Sequence, residues 1–157
     1  MKKSMVIDEK KCTGCRICEM ICSFTHAPEK IFNPAQSRIK IMKKEEAGID
    51  LPVLCFHCAA PRCRDSCPVG AIQTRPDGVV QIDESLCSGC QACMASCPYG
   101  AIRELHGQII KCDLCGGKPS CVEWCPTQAL RYAETDPAAS EDNRRRLQAM
   151  IAQLGKR

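Results

Sequence analysis

Cys87-Ser88-Gly89-Cys90-Gln91-Ala92-Cys93-Met94-Ala95-Ser96-Cys97-Pro98 decides the reading of this chain. It spaces four thiols as C-x-x-C-x-x-C-x-x-x-C-P. One tight loop carrying cysteines at i, i+3 and i+6 can wrap three corners of a cubane iron–sulfur core, and Gly89 lets the backbone approach without a Cβ in the way. The fourth corner is out of that loop's reach. Cys97 is expected to start a helix leading away, with Pro98 at a first helical position where no N–H is needed.

This is the ligand run of bacterial-type ferredoxins, in which the fourth cysteine serves the neighbouring cluster. One run therefore predicts another, and the chain repeats it four times. The groups are Cys12, Cys15, Cys18, Cys22; Cys55, Cys58, Cys63, Cys67; Cys87, Cys90, Cys93, Cys97; and Cys112, Cys115, Cys121, Cys125. They use all 16 cysteines of the 157 residues. Three groups end alike, in Cys67-Pro68-Val69-Gly70-Ala71-Ile72, Cys97-Pro98-Tyr99-Gly100-Ala101-Ile102 and Cys125-Pro126-Thr127-Gln128-Ala129-Leu130.

The exchange rule assigns the ligands. The second and third groups are joined by one short hairpin and form a pair, so one cluster takes Cys55, Cys58, Cys63 and Cys97 and the other takes Cys87, Cys90, Cys93 and Cys67. The first and fourth groups pair around the outside. One of their clusters takes Cys12, Cys15, Cys18 and Cys125; the other takes Cys112, Cys115, Cys121 and Cys22. The cofactors expected are four [4Fe–4S] clusters. Structural zinc, the main rival, uses closed sets of four built from pairs of C-x-x-C, and three cysteines in one loop are an excess for it. A radical-enzyme loop would need C-x-x-x-C-x-x-C, but Thr25, Gly70, Gly100 and Gln128 stand where its last cysteine would be.

Composition narrows the class further. The formal charge is +4, but each thiolate-bound cubane carries roughly −2, which brings the loaded protein to about −4. Aromatic residues are 4%, too few for base-stacking platforms, so no nucleic acid is expected. Met1-Lys2-Lys3-Ser4-Met5-Val6-Ile7-Asp8 shows no apolar signal core, and no apolar run suggests a membrane span. Cysteines grouped at ligand spacing fit a reducing, cytoplasmic setting. No G-x-G-x-x-G, P-loop or acid–base constellation is present, so the chain is expected to be no enzyme on its own.

The expected fold class is α+β: two interlocked 2[4Fe–4S] ferredoxin-like modules with short strands and helices, plus a C-terminal helix. Residues 1–136 read as a single domain, with an inner module at 53–104, an outer module at 1–30 with 105–133, and an insertion at 23–53. Strands are predicted at 4–8, 71–74, 79–82, 101–105 and 108–111, with turns at Arg75-Pro76-Asp77-Gly78 and His106-Gly107. In the insertion, 37–43 alternates like a half-buried strand, 43–50 is a polar loop, and Leu51-Pro52-Val53-Leu54 returns as an edge strand. In the tail, 137–157, Ser140 is expected to cap a helix over 141–154. Its Leu147, Met150, Ile151 and Leu154 form an apolar stripe, read as a partner contact because a cluster-filled core leaves little groove for it.

Other side chains are read more plainly. His57, between Cys55 and Cys58, is a packed loop residue or a tuner of cluster potential. His26 and His106 read as turn residues. Trp124 and Tyr99 shield the clusters from water. Lys10, Lys11, Arg16 and Lys111 are solvated charges or offsets to cluster charge.

The four groups in this order, the wide second and fourth groups, and Lys111-Cys112-Asp113-Leu114-Cys115 resemble the four-cluster electron-transfer subunits of molybdenum and tungsten oxidoreductases, the beta subunits of the dimethyl sulfoxide reductase type. Cys22-Ser23-Phe24-Thr25-His26, Phe32-Asn33-Pro34 and Ser37-Arg38-Ile39 are similar to the small iron–sulfur subunits of tungsten aldehyde oxidoreductases and benzoyl-CoA reductases. The resemblance implies a relay of single electrons between a tungsten- or molybdenum-pterin catalytic subunit and an NAD-linked flavoprotein. The alternative is a free polyferredoxin shuttling between enzymes. A wire with two ends also allows further copies to stack end to end.

Overall fold

The computed structural model describes residues 3–155. Four two-stranded antiparallel ribbons carry the chain: β1 (Lys3–Ile7) with β8 (Leu130–Glu134), β2 (Lys40–Lys44) with β3 (Ile49–Val53), β4 (Ile72–Thr74) with β5 (Val80–Ile82), and β6 (Ile102–Leu105) with β7 (Gln108–Lys111). Between them run α1 (Ile17–His26), α2 (Arg62–Asp65), α3 (Ala92–Ser96) and α4 (Ser120–Glu123), and α5 (Pro137–Leu154) ends the fold. This is the expected α+β architecture.

The β1–β8 ribbon pairs Lys3 with Glu134 and Ile7 with Leu130, so the two ends of the chain close on each other. Helix α1 packs on α4, and α2 packs on α3. The first cysteine group thus meets the fourth, and the second meets the third. Two apolar clusters form the interior, and cysteines are part of both. One gathers Ile7, Ile39, Leu51, Leu54 and Leu130 with Cys18, Cys22, Cys55, Cys112 and Cys121; the smaller joins Ile72, Val80, Ile102 and Ile109 to Cys93.

Cys97 does not start a helix. It ends α3 with φ −77° and ψ 114°, and the Gly100 N–H closes a turn on its carbonyl at 3.3 Å. The same turn closes Gly70 on Cys67 and Gln128 on Cys125. The physical reason is proline. Pro98 pushes Cys97 out of the helical region, so α3 stops there; α2 and α4 end at their C-caps Ser66 and Trp124, just before the cysteine–proline pairs Cys67-Pro68 and Cys125-Pro126. Cys22 has Ser23 after it instead, and α1 runs on through it to His26. Ser23 is fully buried; its Oγ donates to the Met20 carbonyl at 2.7 Å and accepts the Asn33 N–H at 3.2 Å.

The insertion forms the β2–β3 hairpin, with strand β2 beginning only at Lys40. Ser37 ties up the preceding backbone, since its Oγ donates to the Ile39 carbonyl at 2.7 Å and accepts the Ile39 N–H at 3.2 Å. The hairpin docks on α1 through Glu19, a buried carboxylate that accepts the Ile41 N–H at 2.6 Å.

The tail also departs from expectation. Asp136, not Ser140, caps α5: its Oδ2 accepts the Ala139 N–H at 3.1 Å, and Pro137 takes the first turn. The apolar stripe faces inward. Leu147 and Ile151 are buried in the larger core, with Met150 and Leu154 packed beside them. The stripe is used within the chain rather than kept for a partner, because the β1–β8 ribbon and the β2–β3 hairpin leave α5 a groove. Asn143 fastens it, donating to the Ile7 carbonyl at 2.9 Å and accepting the Ile7 N–H at 3.3 Å.

Candidate iron–sulfur sites

Each C-x-x-C has the same backbone device. The residue just before its second cysteine is left-handed in all four groups: Gly14 at φ 63°, His57 at 48°, Gly89 at 69° and Leu114 at 61°. This geometry turns successive N–H groups into a concave donor surface, a nest suited to negative charge. The N–H of His57 reaches Cys55 Sγ at 3.4 Å, and that of Leu114 reaches Cys112 Sγ at 3.4 Å. His57 and Leu114 hold a conformation that side chains ordinarily avoid, at a cost of roughly 1 kcal/mol each. Sequence reasoning found Gly89 through its glycine; Gly14 carries the same signal but was not singled out, and nothing in the sequence marks the same turn at His57 and Leu114.

The fold brings the thiols together across groups. Cys55, Cys58 and Cys63 line one cavity with Cys97, beside Tyr99 and Arg144. Cys87, Cys90 and Cys93 line a second with Cys67. Cys12, Cys15 and Cys18 line a third with Cys125. Around Cys121, the charges of Cys112, Cys22 and Cys115 all act on its thiol. The sets lie within electrostatic reach of one another in series: Cys93 feels the charge of Cys63, Cys112 that of Cys55, and Cys121 that of Cys18. Only Cys15 and Cys90 among the cysteines are exposed, and they sit in the two outermost sets.

Burial opposes ionisation of these thiols. It pushes Cys93 up to about 11 and Cys18 up to about 12, and it drives Cys112 and Cys121 higher still. Four thiolates facing one another, with at least one of each set buried, are unfavourable unless a positive core stands between them. An iron–sulfur core is such a centre, and the crossed sets of four soft sulfur donors fit it. The fourth cysteines are prepared for it. Against the penalty of burial, N–H groups of Val69, Ala71, Ile72 and Gly70 hold the Cys67 thiol below its usual value, and Leu130, Ala129 and Thr127 do so for Cys125.

Sequence reasoning missed a charged network beside Cys22. Asp113 stands between His26 Nε2 at 3.1 Å and Arg38 Nη1 at 2.6 Å, and its Oδ1 also accepts the Cys115 N–H at 2.9 Å. The Arg38 backbone N–H donates to Cys22 Sγ at 3.3 Å. His26 Nδ1 donates to the Cys22 carbonyl at 2.8 Å, so both ring nitrogens face acceptors and the imidazole is held charged. Although burial opposes its charge, Asp113 and the nearby sulfurs push His26 up to about 12; Asp113, despite burial, is pulled well below the usual carboxylate range by His26. His26 is therefore a structural cation rather than a turn residue. Trp124, expected to shield a cluster, is largely exposed at 58%, whereas Tyr99 is buried against Phe56 at a ring distance of 4.8 Å. Lys111 is buried, not solvated.

Comparison with known proteins points to the same kind of cofactor. A 4Fe-4S dicluster domain model matches residues 46–135, and a second 4Fe-4S dicluster domain model matches residues 11–72. The chain is 37% identical over 148 residues to the B subunit of anaerobic dimethyl sulfoxide reductase from Escherichia coli strain K12, covering 83% of this chain and 72% of that subunit. It is 42% identical over 102 residues to formate hydrogenlyase subunit 2 of the same strain, covering 65% and 48%. Among solved structures, a subunit of the active site complex BamBC of benzoyl coenzyme A reductase, in complex with benzoyl-CoA, superposes with TM-score 0.53 at 30% identity, covering 98% of this chain and 91% of that one. By these matches the chain belongs to the 4Fe-4S dicluster family, alongside the B subunits of dimethyl sulfoxide reductases.

Proposed function

We propose that this chain is a non-catalytic electron-transfer subunit that holds four [4Fe–4S] clusters and relays single electrons between two larger redox partners. The ligand sets are Cys12, Cys15, Cys18 and Cys125; Cys112, Cys115, Cys121 and Cys22; Cys55, Cys58, Cys63 and Cys97; and Cys87, Cys90, Cys93 and Cys67. The observation that carries this reading is the exchange of fourth cysteines, with Cys97 lining the cavity of the second group and Cys67 that of the third. When bound, such clusters supply one-electron redox chemistry.

The chain's own residues supply order, insulation and charge. The left-handed N–H groups orient the first sulfurs, and the fourth cysteines tie each module shut. The serial electrostatic couplings of Cys93 to Cys63, Cys55 to Cys112 and Cys121 to Cys18 support a single line of sites, with Cys90 and Cys15 exposed at its two ends. The inner module spans 53–104, and the outer module joins the chain's beginning to 105–133.

The names of its relatives guide the choice of partners. The dimethyl sulfoxide reductase subunit and the benzoyl-CoA reductase complex both belong to multi-subunit oxidoreductases. We assign a molybdenum- or tungsten-pterin catalytic subunit to one end and a flavoprotein to the other. An aldehyde oxidoreductase is one such assembly, and a cytoplasmic setting suits it. No described helix is long and apolar enough to cross a membrane.

Metal and sulfide analysis of the purified chain tests the reading. Iron and acid-labile sulfide in equal amounts, at four clusters per chain, support it. Zinc without sulfide defeats it. Isolation of the native complex identifies the companions.

A further inference from the structure

Lys111 closes β7 and is 4% exposed. Its Nζ donates to the Val80 carbonyl and, at 3.0 Å, to the Cys112 carbonyl. Carbonyl dipoles alone do not neutralise a buried ammonium, and such a charge is retained only where a counter-charge lies close. No carboxylate among the described residues lies within ion-pair reach of it.

Four less buried cations differ in this respect. Lys40 lies 4.0 Å from Glu19, Lys43 pairs with Asp50 at 3.1 Å, Arg38 pairs with Asp113, and Arg144 pairs with Glu141. Lys111 instead bridges two cysteine sets: Val80, whose carbonyl it holds, lines the cavity of Cys55, Cys58, Cys63 and Cys97, and Cys112, whose carbonyl it also holds, belongs to the fourth group. Its charge acts on Cys63 of the second group and Cys112 of the fourth, favouring the thiolate of each against burial. Those groups are the adjacent ones in the middle of the line, where Cys55 and Cys112 interact.

We infer that Lys111 is the internal counter-ion of the two middle clusters, those of Cys55, Cys58, Cys63 and Cys97 and of Cys22, Cys112, Cys115 and Cys121, and that it holds their reduction potentials above those they would have without it. The inference rests on the four-cluster reading above. Reduction of a cluster adds one electron, taken from a redox partner that is oxidised by one; no bond forms or breaks. A fixed positive charge in a medium of low polarity favours the state with the extra electron. Lys111 thus lowers the middle of the path in energy relative to a chain without it.

The test is a redox titration of the whole, cluster-loaded chain, followed by electron paramagnetic resonance, for wild type, Lys111→Met and Lys111→Arg. Methionine keeps most of the length and the apolar stem of the side chain and removes the charge. The expected result is a downward shift of two midpoints in Lys111→Met, with the other two unmoved, and wild-type values in Lys111→Arg. Selective failure to load the two middle clusters in Lys111→Met, restored by arginine, supports the same role. An equal shift of all four midpoints, a shift of none, or loss of all four clusters overturns it. Iron and sulfide content of the wild type is a separate readout: a wild type short of four clusters defeats the functional reading, whereas a full wild type with unmoved midpoints in Lys111→Met defeats only this inference.

Discussion

The imidazole of His57 accepts the backbone N–H of Val80, Nδ1 to N, at 3.0 Å. One buried residue of β5 is thereby joined to two cysteine loops, since the Val80 carbonyl receives Lys111 from the fourth group. An accepting Nδ1 places the ring proton on Nε2 and keeps the imidazole neutral at that contact. His57 is packed, and its ring braces the backbone of β5. Replacing it with phenylalanine keeps the bulk and removes the acceptor. The stranded Val80 N–H is expected to cost about 1–3 kcal/mol. Thermal melts of cluster-loaded wild type and His57→Phe check this; equal melting would show that the contact contributes nothing.

The crossing of fourth cysteines has a spectroscopic consequence. Cys97 follows α3 of the third group, yet it lines the cavity of Cys55, Cys58 and Cys63. Serine at position 97 is expected to alter the signal and potential of that cluster and leave the cluster of Cys87, Cys90 and Cys93 as it was. If only the latter responds, the pairing is wrong.

Much of this was legible from spacing. Ligand spacing is a local geometric demand, so the four groups, the hairpins at Asp77-Gly78 and His106-Gly107, and the closure of the two chain ends were all readable. What escaped were properties of the assembled interior. Nothing in Lys111-Cys112-Asp113 says that the lysine turns inward while the aspartate turns to His26, because both depend on residues more than thirty positions away. The direction of the α5 stripe was misjudged for the same reason: periodicity shows that a helix has an apolar face but not what covers it.

The burial of that stripe makes a measurable claim. Leu147 is 1% exposed in the larger core. Truncation to alanine is expected to cost about 2–5 kcal/mol, the range for a buried leucine. Denaturant unfolding of Leu147→Ala checks it. A variant with wild-type stability that fails only to bind a partner would restore the contact reading.

The Asp113 bridge couples the segment ahead of β2 and the end of α1 to the fourth cysteine group. Asp113→Asn removes the charge that holds His26 and Arg38, and with it the restraint on the Arg38 N–H that reaches Cys22 Sγ. The carboxylate is partly solvated, so the stability loss is expected to be small, about 1 kcal/mol. The redox effect is the sharper readout. Hydrogen bonds to a ligand sulfur raise cluster potential, so a looser Arg38 N–H lowers it. One midpoint, that of the cluster served by Cys22, is expected to fall. An unchanged set of four midpoints would show that the bridge acts on stability alone.

Gly14 and Gly116 give a controlled comparison of backbone strain and space. Both are left-handed, at φ 63° and 67°. A Cβ on Gly116 meets nothing within 4 Å, whereas one on Gly14 overlaps the Asp50 carboxylate and the Lys43 ammonium, an ion pair of the β2–β3 hairpin. Alanine at either position bears the conformational cost, roughly 1 kcal/mol. Gly14→Ala must in addition move that pair and tilt the hairpin away from the loop of Cys12 and Cys15. It is expected to load its clusters less completely than Gly116→Ala, by iron and sulfide analysis, with the deficit confined to one cluster. Equal loading in the two variants would mean that the hairpin yields without disturbing the cysteines beneath it, and that the insertion is not needed to seat the first site.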